Sequence, residues 1–546
     1  MQHAISQDPS TQHPSPLEST PVIIVGGSLV GLSAALFLAY RGVPVILLEK
    51  HQGSAAHPRA TGFTERSLEY FRAVGIGDQV PQVAPGMRLR RVVAESLAGV
   101  WQAETQWTPG ERNERSATAS PCTGAAIAQD KLEPILREAA RERGADLRPG
   151  HEVCDVRQDG DGVTVTVRRR EDGALYAIRA GYLIAADGAD SPIREALGIA
   201  RVGVGHLRTL RSVLFTCPQA QAYLERGVQQ FDIRQEGFKA FMTSYGDGRW
   251  VLMFDDDRER SEAELAAAVR RALGLDMAFE ILATGRWEMA GRIAQRYSVV
   301  RIFLAGDAAH QLPPTRGGFG ANTGIDDAWN LAWKLQWVLE GRSHPRLLDT
   351  YSDERQPIGW LRHQQTFARP DYAAWTDGAL AGSPLYGNEA MELGQLQRSA
   401  AVLGAGPDLP PAAHPDAWAG QPGTRAPHVY VRRGEATVST LDLFGHGFVL
   451  MSEDARWISA AGTVARDLGI GIEALHVGRD VVFSADRAFT SAFGIGPHGA
   501  SLVRPDGLVA WRTTDMEASP ADCLRDVLRA VAALAPIRSR PEKLGS

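Results

Sequence analysis

The chain has 546 residues, enough for two to four domains, with 44% hydrophobic and 22% charged residues, the profile of a globular protein. A net charge of −6 excludes the basic footprint of a nucleic-acid or acidic-membrane binder. No apolar run reaches the roughly 18–20 residues that span a bilayer. The first twenty residues are rich in Pro, Ser, Gln and Thr and hold no Lys or Arg. They predict a disordered tail (1–20) rather than a secretory signal. Cys122, Cys154, Cys217 and Cys523 are scattered and form no CxxC or metal spacing. Neither disulfides nor a metal site is expected, and a reducing cytoplasm fits.

Order is expected from Pro21. The β-branched run Val22–Val25 reads as a buried parallel strand. The turn Gly26-Gly27-Ser28-Leu29-Val30-Gly31 follows, then a helix from Leu32 to Tyr40 and a second strand, Val45–Leu48, closed by Glu49. This is a βαβ unit. A helix starts near Gln129. Strands are predicted at 151–158, 162–170, 176–180 and 181–186, with Asp159-Gly160-Asp161-Gly162 as a hairpin turn. Between 205 and 295 the pattern becomes alternating strands (212–217, 229–233, 239–245, 249–254) with one helix, 261–274. The strand Arg301–Ala305 leads into Gly306-Asp307-Ala308-Ala309-His310, and a long helix is expected from about 324 to 340. Six prolines between 407 and 427 suggest an inter-domain linker. Residues 428–535 then read as a separate small α/β domain.

A glycine turn between strand and helix lets backbone N–H groups meet a pyrophosphate. Glu49 follows Gly26 by 23 positions (49 − 26), close to the ~20 expected of the carboxylate that takes ribose hydroxyls. Ser28 replaces the middle glycine of GxGxxG; its hydroxyl could itself bond a phosphate. This motif alone does not separate NAD from FAD, or either from a ligand-free tight turn. Two further strand–turn segments decide: Ala185-Ala186-Asp187-Gly188-Ala189-Asp190 and Leu304-Ala305-Gly306-Asp307.

In this order and at these separations, the three segments resemble the group A flavoprotein monooxygenases. Residues 57–60, 129–136, Asn330-Leu331-Ala332-Trp333-Lys334-Leu335, Asp353-Glu354-Arg355 and 499–507 are similar to the aromatic polyketide hydroxylases among them, of the aklavinone and tetracenomycin hydroxylase type. The resemblance covers residues 21 to about 535 and is weakest at 205–295 and 365–425, where substrate is chosen.

The resemblance implies an α/β fold. An FAD-binding Rossmann-like domain is expected from 21–95, 120–204 and 296–400, and a β-sheet substrate domain from 96–119 and 205–295. A linker (401–427) and a C-terminal thioredoxin-like domain (428–546) without redox function complete it. The cofactors implied are non-covalent FAD and, as co-substrate, NAD(P)H, for which the chain carries no second GxGxxG. Gly26, Ser28 and Gly31 stand at the pyrophosphate turn, Glu49 at the adenosine ribose and Arg59 at the FAD linker. Gln129 lies near the phosphates and ribityl chain, Val153 at adenine, and Asp307 at a ribityl hydroxyl, unless it is a helix N-cap. Asp187 is either a cofactor contact or structural. After Asp307 comes a Pro/Gly loop with Pro313, which allows close approach to a flat ring. Gly320, Ala321 and Asn322 follow it, before a helix whose N-terminus would stabilise the reduced flavin anion at N1–C2=O. Arg316 reads as an insertion facing substrate or solvent.

The implied reaction is FAD- and NAD(P)H-dependent hydroxylation of a polycyclic aromatic phenol or quinone through a flavin C4a-hydroperoxide, with water excluded. Baeyer–Villiger oxygenation, epoxidation, or a catalytically silent flavin- or ligand-binding homologue are the alternatives. Phe231, Phe238, Phe241, Tyr245 and Trp250 give the substrate sheet an aromatic density suited to a flat ligand, or they are plain core. Arg369 and Tyr372 lie where relatives place a group that activates the phenol; otherwise they are surface residues.

Overall fold

A computed structural model describes residues 18–55, 57, 60–84, 90–105, 119–313, 319–380 and 382–534. Arg59, Arg316 and most of the N-terminal tail lie outside these residues.

Three sheets organise the chain. The first has a parallel core in the order Ile302–Leu304, Leu175–Ala185, Glu18–Val25, Val45–Glu49, Asp146–Pro149. Its strands are apolar because both faces are covered; Val22, Ile23 and Ile24 are fully buried. Val25 is in register with both Ala185 and Leu48, and Ala185 with Leu304. The glycine turn, the Asp187 turn, Glu49 and the Asp307 turn therefore emerge side by side at the carboxyl ends of four adjacent strands. Parallel α/β sheets bind ligands at that edge.

Several boundaries differ from the sequence expectation. The first strand starts at Glu18, ahead of Pro21. The two strands expected at 176–186 are one, Leu175–Ala185. It pairs antiparallel with Val163–Arg169 and parallel with Glu18–Val25. Its Gly181 lies where a Cβ would sit 3.1 Å from the Pro21 carbonyl. The long helix starts at Phe319, not Gly324. Gly324 serves close packing instead: a Cβ there would lie 2.9 Å from Gly306 Cα and 2.4 Å from Val30 Cγ2.

The second sheet has eight strands, in the order His310–Gln311, Glu280–Ala294, Arg201–Thr216, Arg249–Phe254, Phe238–Ser244, Gln230–Gln235, Arg91–Ala94, Trp101–Thr105. Arg91–Ala94 and the start of Arg201–Thr216 belong to it, so the expected divisions at 95 and 204 fall a few residues late. The outer face packs on helix Glu262–Leu273, which Ser261 and Glu264 close with a reciprocal capping box.

The third sheet, Ile472–His476, Phe448–Ser452, Ala500–Val503, Val509–Thr513, has a parallel first pair and antiparallel remainder, backed by helices Ala455–Leu468 and Pro520–Val531. That is a thioredoxin-like arrangement. The stretch 401–427 is no free linker. Ala412 and Ala426 are fully buried, Trp418 Nε1 donates to the Gly394 carbonyl, and buried Arg425 pairs with Glu69.

Helix Phe319–Leu339 ties these layers together. Its far end sits in the C-terminal core, where Trp333 and Trp337 pack edge-on against Phe448. Below this lies a buried charge network. Glu354 accepts from both terminal nitrogens of Arg504 (2.6 and 3.0 Å), Lys334 Nζ (2.8 Å), Asn330 Nδ2 (2.7 Å) and Ser399 Oγ (2.6 Å). Asp506 takes the other edge of Arg504 and the Trp333 indole N–H.

Candidate active site

One continuous cavity of about 3180 Å³ runs from the glycine turn, along the edge of the first sheet, to the inner face of the second. The glycine turn is built for close approach. Gly26 has φ +106°, and a Cβ there would lie 2.2 Å from the Ala186 carbonyl oxygen. A Cβ on Gly31 would lie 1.8 Å from the Gly26 carbonyl oxygen. Ser28 caps helix Leu29–Tyr40 by position only. Its hydroxyl donates to buried Glu133 (2.7 Å) and accepts from Gln129 Nε2 (2.9 Å), which ties this cavity-lining residue to helix Gln129–Glu142. Glu49 accepts the Gly27 N–H (2.6 Å) and the His51 N–H (2.8 Å) while lining the cavity, as does Val153.

Asp187 also lines the cavity. One oxygen, Oδ1, is buried with no partner among the described residues; burial raises its pKa above the usual carboxylate range. Asp307 follows the apolar strand Ile302–Leu304, a place where a side chain tends to be buried. It is exposed to the cavity instead, in the single turn Gly306–Ala308.

The buried carboxylate here is one the sequence reading missed, Asp327, one helical turn beyond Gly324. It accepts from Gly306 N–H (3.2 Å), His310 Nε2 (2.7 Å) and Arg355 Nε (2.8 Å). Burial opposes its charge, but His310 and Arg355 hold its pKa below the ordinary value. Arg355 also pairs with Asp326 (2.6 Å), which accepts from Tyr70. This network fixes the Asp307 turn from behind. His310 and Arg355 stand in recognised motifs, but their partner, 17 and 28 positions away, carries no sequence signal.

Pro313, Gly320 and Ala321 line the cavity. Asn322 does not; its amide is committed to the Thr64 N–H (3.0 Å), Ser67 hydroxyl (2.6 Å) and Gly62 carbonyl (3.2 Å). It fastens the helix start to residues 62–67.

The inner face of the second sheet sorts the expected aromatic residues by strand alternation. Phe241 and Tyr245 face the cavity. Phe231 and Phe238, expected to touch substrate, point the other way, with Trp250, into the core under helix Glu262–Leu273. Period-two geometry makes this split inevitable once one member of a strand is placed. Arg369 and Tyr372 are buried, not surface residues, and both line the cavity. The Arg369 guanidinium lies 5.5 Å from the Phe319 ring, and burial raises the Tyr372 hydroxyl to about 12.

His363 joins helix Asp349–Phe367 to the second sheet. Its Nε2 accepts the Val204 N–H (3.1 Å) and its ring stacks on Trp360 at 4.9 Å. Burial lowers its pKa from 6.5 to about 4. The folded state thus prefers the neutral ring. Its contribution is complete above about pH 6.5 and is lost as pH falls toward 4, a swing of about 3 kcal/mol. Urea unfolding at pH 7 and 5 should show a steeper acid loss for wild type than for His363→Gln; equal losses would refute this account.

The match to known proteins is extensive. An FAD-binding domain family model covers residues 19–366, and an aromatic-ring hydroxylase C-terminal model covers 419–535. The chain belongs to the FAD-dependent aromatic-ring hydroxylases, and is an FAD-dependent monooxygenase with NAD(P)H as co-substrate. It is 39% identical to 4-methyl-5-nitrocatechol 5-monooxygenase of a Burkholderia species, over 94% of this chain and 97% of the relative. It is 38% identical to the tetracenomycin A2 monooxygenase-dioxygenase of Streptomyces glaucescens, at the same coverages. A solved ternary complex of aklavinone-11 hydroxylase with FAD and aklavinone superposes with a TM-score of 0.84 at 34% identity, covering 95% of this chain and all of that one.

Proposed function

We propose that this enzyme hydroxylates a polycyclic aromatic phenol or quinone. The carrying observation is the size and walls of the cavity. Its 3180 Å³ is several times the roughly 300–1,000 Å³ of an ordinary small-molecule site, leaving room beyond a dinucleotide for a flat multi-ring ligand. Phe241, Tyr245, Met253, Trp287 and Trp375 supply broad apolar surface in that second region.

In this reading Gly26, Gly31 and the first turn of helix Leu29–Tyr40 hold the FAD pyrophosphate through backbone N–H groups. Glu49 takes the ribose, Val153 the adenine side, and Gln129 and Asp307 the phosphate and ribityl region. Ser28 contributes by orienting Gln129 rather than by touching phosphate. Gly320 and Ala321 present the N-terminus of helix Phe319–Leu339 to the flavin ring, where the helix dipole favours negative charge. Bound FAD supplies transfer of reducing equivalents from NAD(P)H and activation of oxygen. The protein's own part is binding, orientation, exclusion of water and handling of the substrate proton. Arg369 favours the phenolate, which makes the ring electron-rich. Tyr372, protonated at neutral pH, donates a hydrogen bond to a substrate oxygen.

The test is product mass spectrometry under labelled oxygen gas. The FAD-loaded enzyme would be offered polycyclic phenols and quinones alongside monocyclic nitrocatechols. One labelled oxygen in a ring-hydroxylated polycyclic product, coupled to NAD(P)H consumption, is expected. Turnover of monocyclic substrates alone, or insertion into a ring carbon–carbon bond, would overturn the proposal.

A further inference from the structure

On the inner face of the second sheet, two exposed cations, Arg234 and Lys239, have no carboxylate partner among the described residues. Arg234 and Lys239 stand directly opposite each other in antiparallel register, and both line the cavity. Directly opposed like charges destabilise a sheet pair, because their Cβ atoms lie only ~5 Å apart. A stabilising arrangement would place a carboxylate beside them. Four described carboxylates near them are already taken. Asp255, one strand beyond Lys239, is bonded by Arg208; Asp232, two residues before Arg234, is gripped by Arg91, with Nε at 2.8 Å. Glu104 is held by Arg90 (2.7 Å) and Glu288 by Arg292 (2.8 Å) and His206 (2.7 Å). Glu95 follows Ala94, the register partner of Ile233, but it lies outside the cavity lining. Neither Arg234 nor Lys239 forms an ion pair with a carboxylate among the described residues, whereas Arg90, Arg91 and Arg208 do.

The pair also has a defined place. Lys239 lies six residues from Tyr245, or ~20 Å along an extended strand. The Tyr245 end is the one near the cofactor region, because Arg249 there bonds Asp130 (2.8 Å) at the start of helix Gln129–Glu142. The surplus cations thus mark the opposite end of the cavity, away from the glycine turn.

We infer that Arg234 and Lys239 form an anion-recognition subsite, and that the substrate is an aromatic acid whose carboxylate sits at the end of the ring system remote from the glycine turn. The inference rests on the proposed polycyclic substrate and narrows its class. Two cations sharing one carboxylate relieve their own repulsion, so ligand binding repairs a local electrostatic cost of the apo sheet.

The test uses the FAD-loaded enzyme and a matched pair of probes, a hydroxyanthraquinone carboxylic acid and its methyl ester. Binding is read from the perturbation of flavin absorbance at low and high salt, and turnover separately from product oxygen. Wild type should bind the acid at least about tenfold more tightly than the ester, a difference of about 1.4 kcal/mol, and high salt should narrow the gap. Arg234→Ser/Lys239→Ser should lose the acid preference while keeping ester affinity and flavin content. Equal binding of acid and ester by wild type, an acid preference that survives in the double variant, or failure of both probes to bind would overturn the inference. The binding arm is independent of turnover. Tight, Arg234/Lys239-dependent acid binding without oxygen incorporation would support the subsite while refuting the hydroxylase substrate reading.

Discussion

Arg504→Ala should cost about 3–5 kcal/mol of stability, the magnitude expected when one partner of a buried ion network is removed and the other charges remain. Arg504, Glu354 and Lys334 have no exposed side-chain surface, and Asp506 almost none. Losing the guanidinium leaves Glu354 with Lys334 as its single cation and leaves Asp506 with none in this network. The loss falls at the junction of the C-terminal sheet with helix Phe319–Leu339. Thermal unfolding should therefore change from one transition to two, with the C-terminal domain melting first. A midpoint within 2–3 °C of wild type, against the several degrees that even ~1 kcal/mol produces in a smaller domain, would refute the role assigned to the network. Acid adds a second reading. Burial alone would raise the Glu354 pKa, but Arg504 and Lys334 overcome it and hold the carboxyl well below its ordinary 4.5. The network's contribution is thus complete above about pH 4.5 and is lost as the pH falls further. Arg504→Ala should flatten that acid limb.

Gly31→Ala should abolish flavin retention. The added methyl would sit 1.8 Å from the Gly26 carbonyl oxygen, so the turn must open. Opening it moves the N–H groups that would meet the pyrophosphate, and the loss should be at least about 100-fold in FAD affinity, or ~3 kcal/mol. The measurement is absorbance near 450 nm of the purified chain titrated with FAD, beside circular dichroism to establish that the domain is folded. Ser28→Ala is the contrasting variant. It removes a hydroxyl committed to Glu133 and Gln129, not a backbone donor, and should weaken FAD by about tenfold or less. Wild-type flavin content in folded Gly31→Ala would sink the assignment of the turn.

These variants separate two kinds of information. In the string, Ser28 is a replaced glycine whose hydroxyl is offered to a phosphate, because the string shows no other partner. The contact that gives the serine a task comes from Glu133, 105 positions later. Phe231 and Phe238 looked equivalent to Phe241 and Tyr245, because composition counts aromatic residues without assigning faces. The helix start was misplaced at Gly324 because a glycine resembles a boundary, while its role there is to let the helix pass close to Gly306 and Val30.

What the sequence by itself determined is the set of turns that meet at one sheet edge and, through the resemblance their order carries, the class of enzyme. Those depend on local requirements: a turn that excludes side chains, a strand that ends in a carboxylate, and the order of three such segments. Local backbone chemistry leaves its mark in consecutive residues. Only the tertiary structure decided which aromatic residues face the cavity, that Asp327 braces the Asp307 turn, that 401–427 is packed, and that Arg234 and Lys239 stand opposed with no carboxylate partner among the described residues. Each of these is a relation between side chains brought together by sheet register or helix packing. Their free energy comes from burial and charge pairing at short range, and no spacing along the chain encodes which partners will meet.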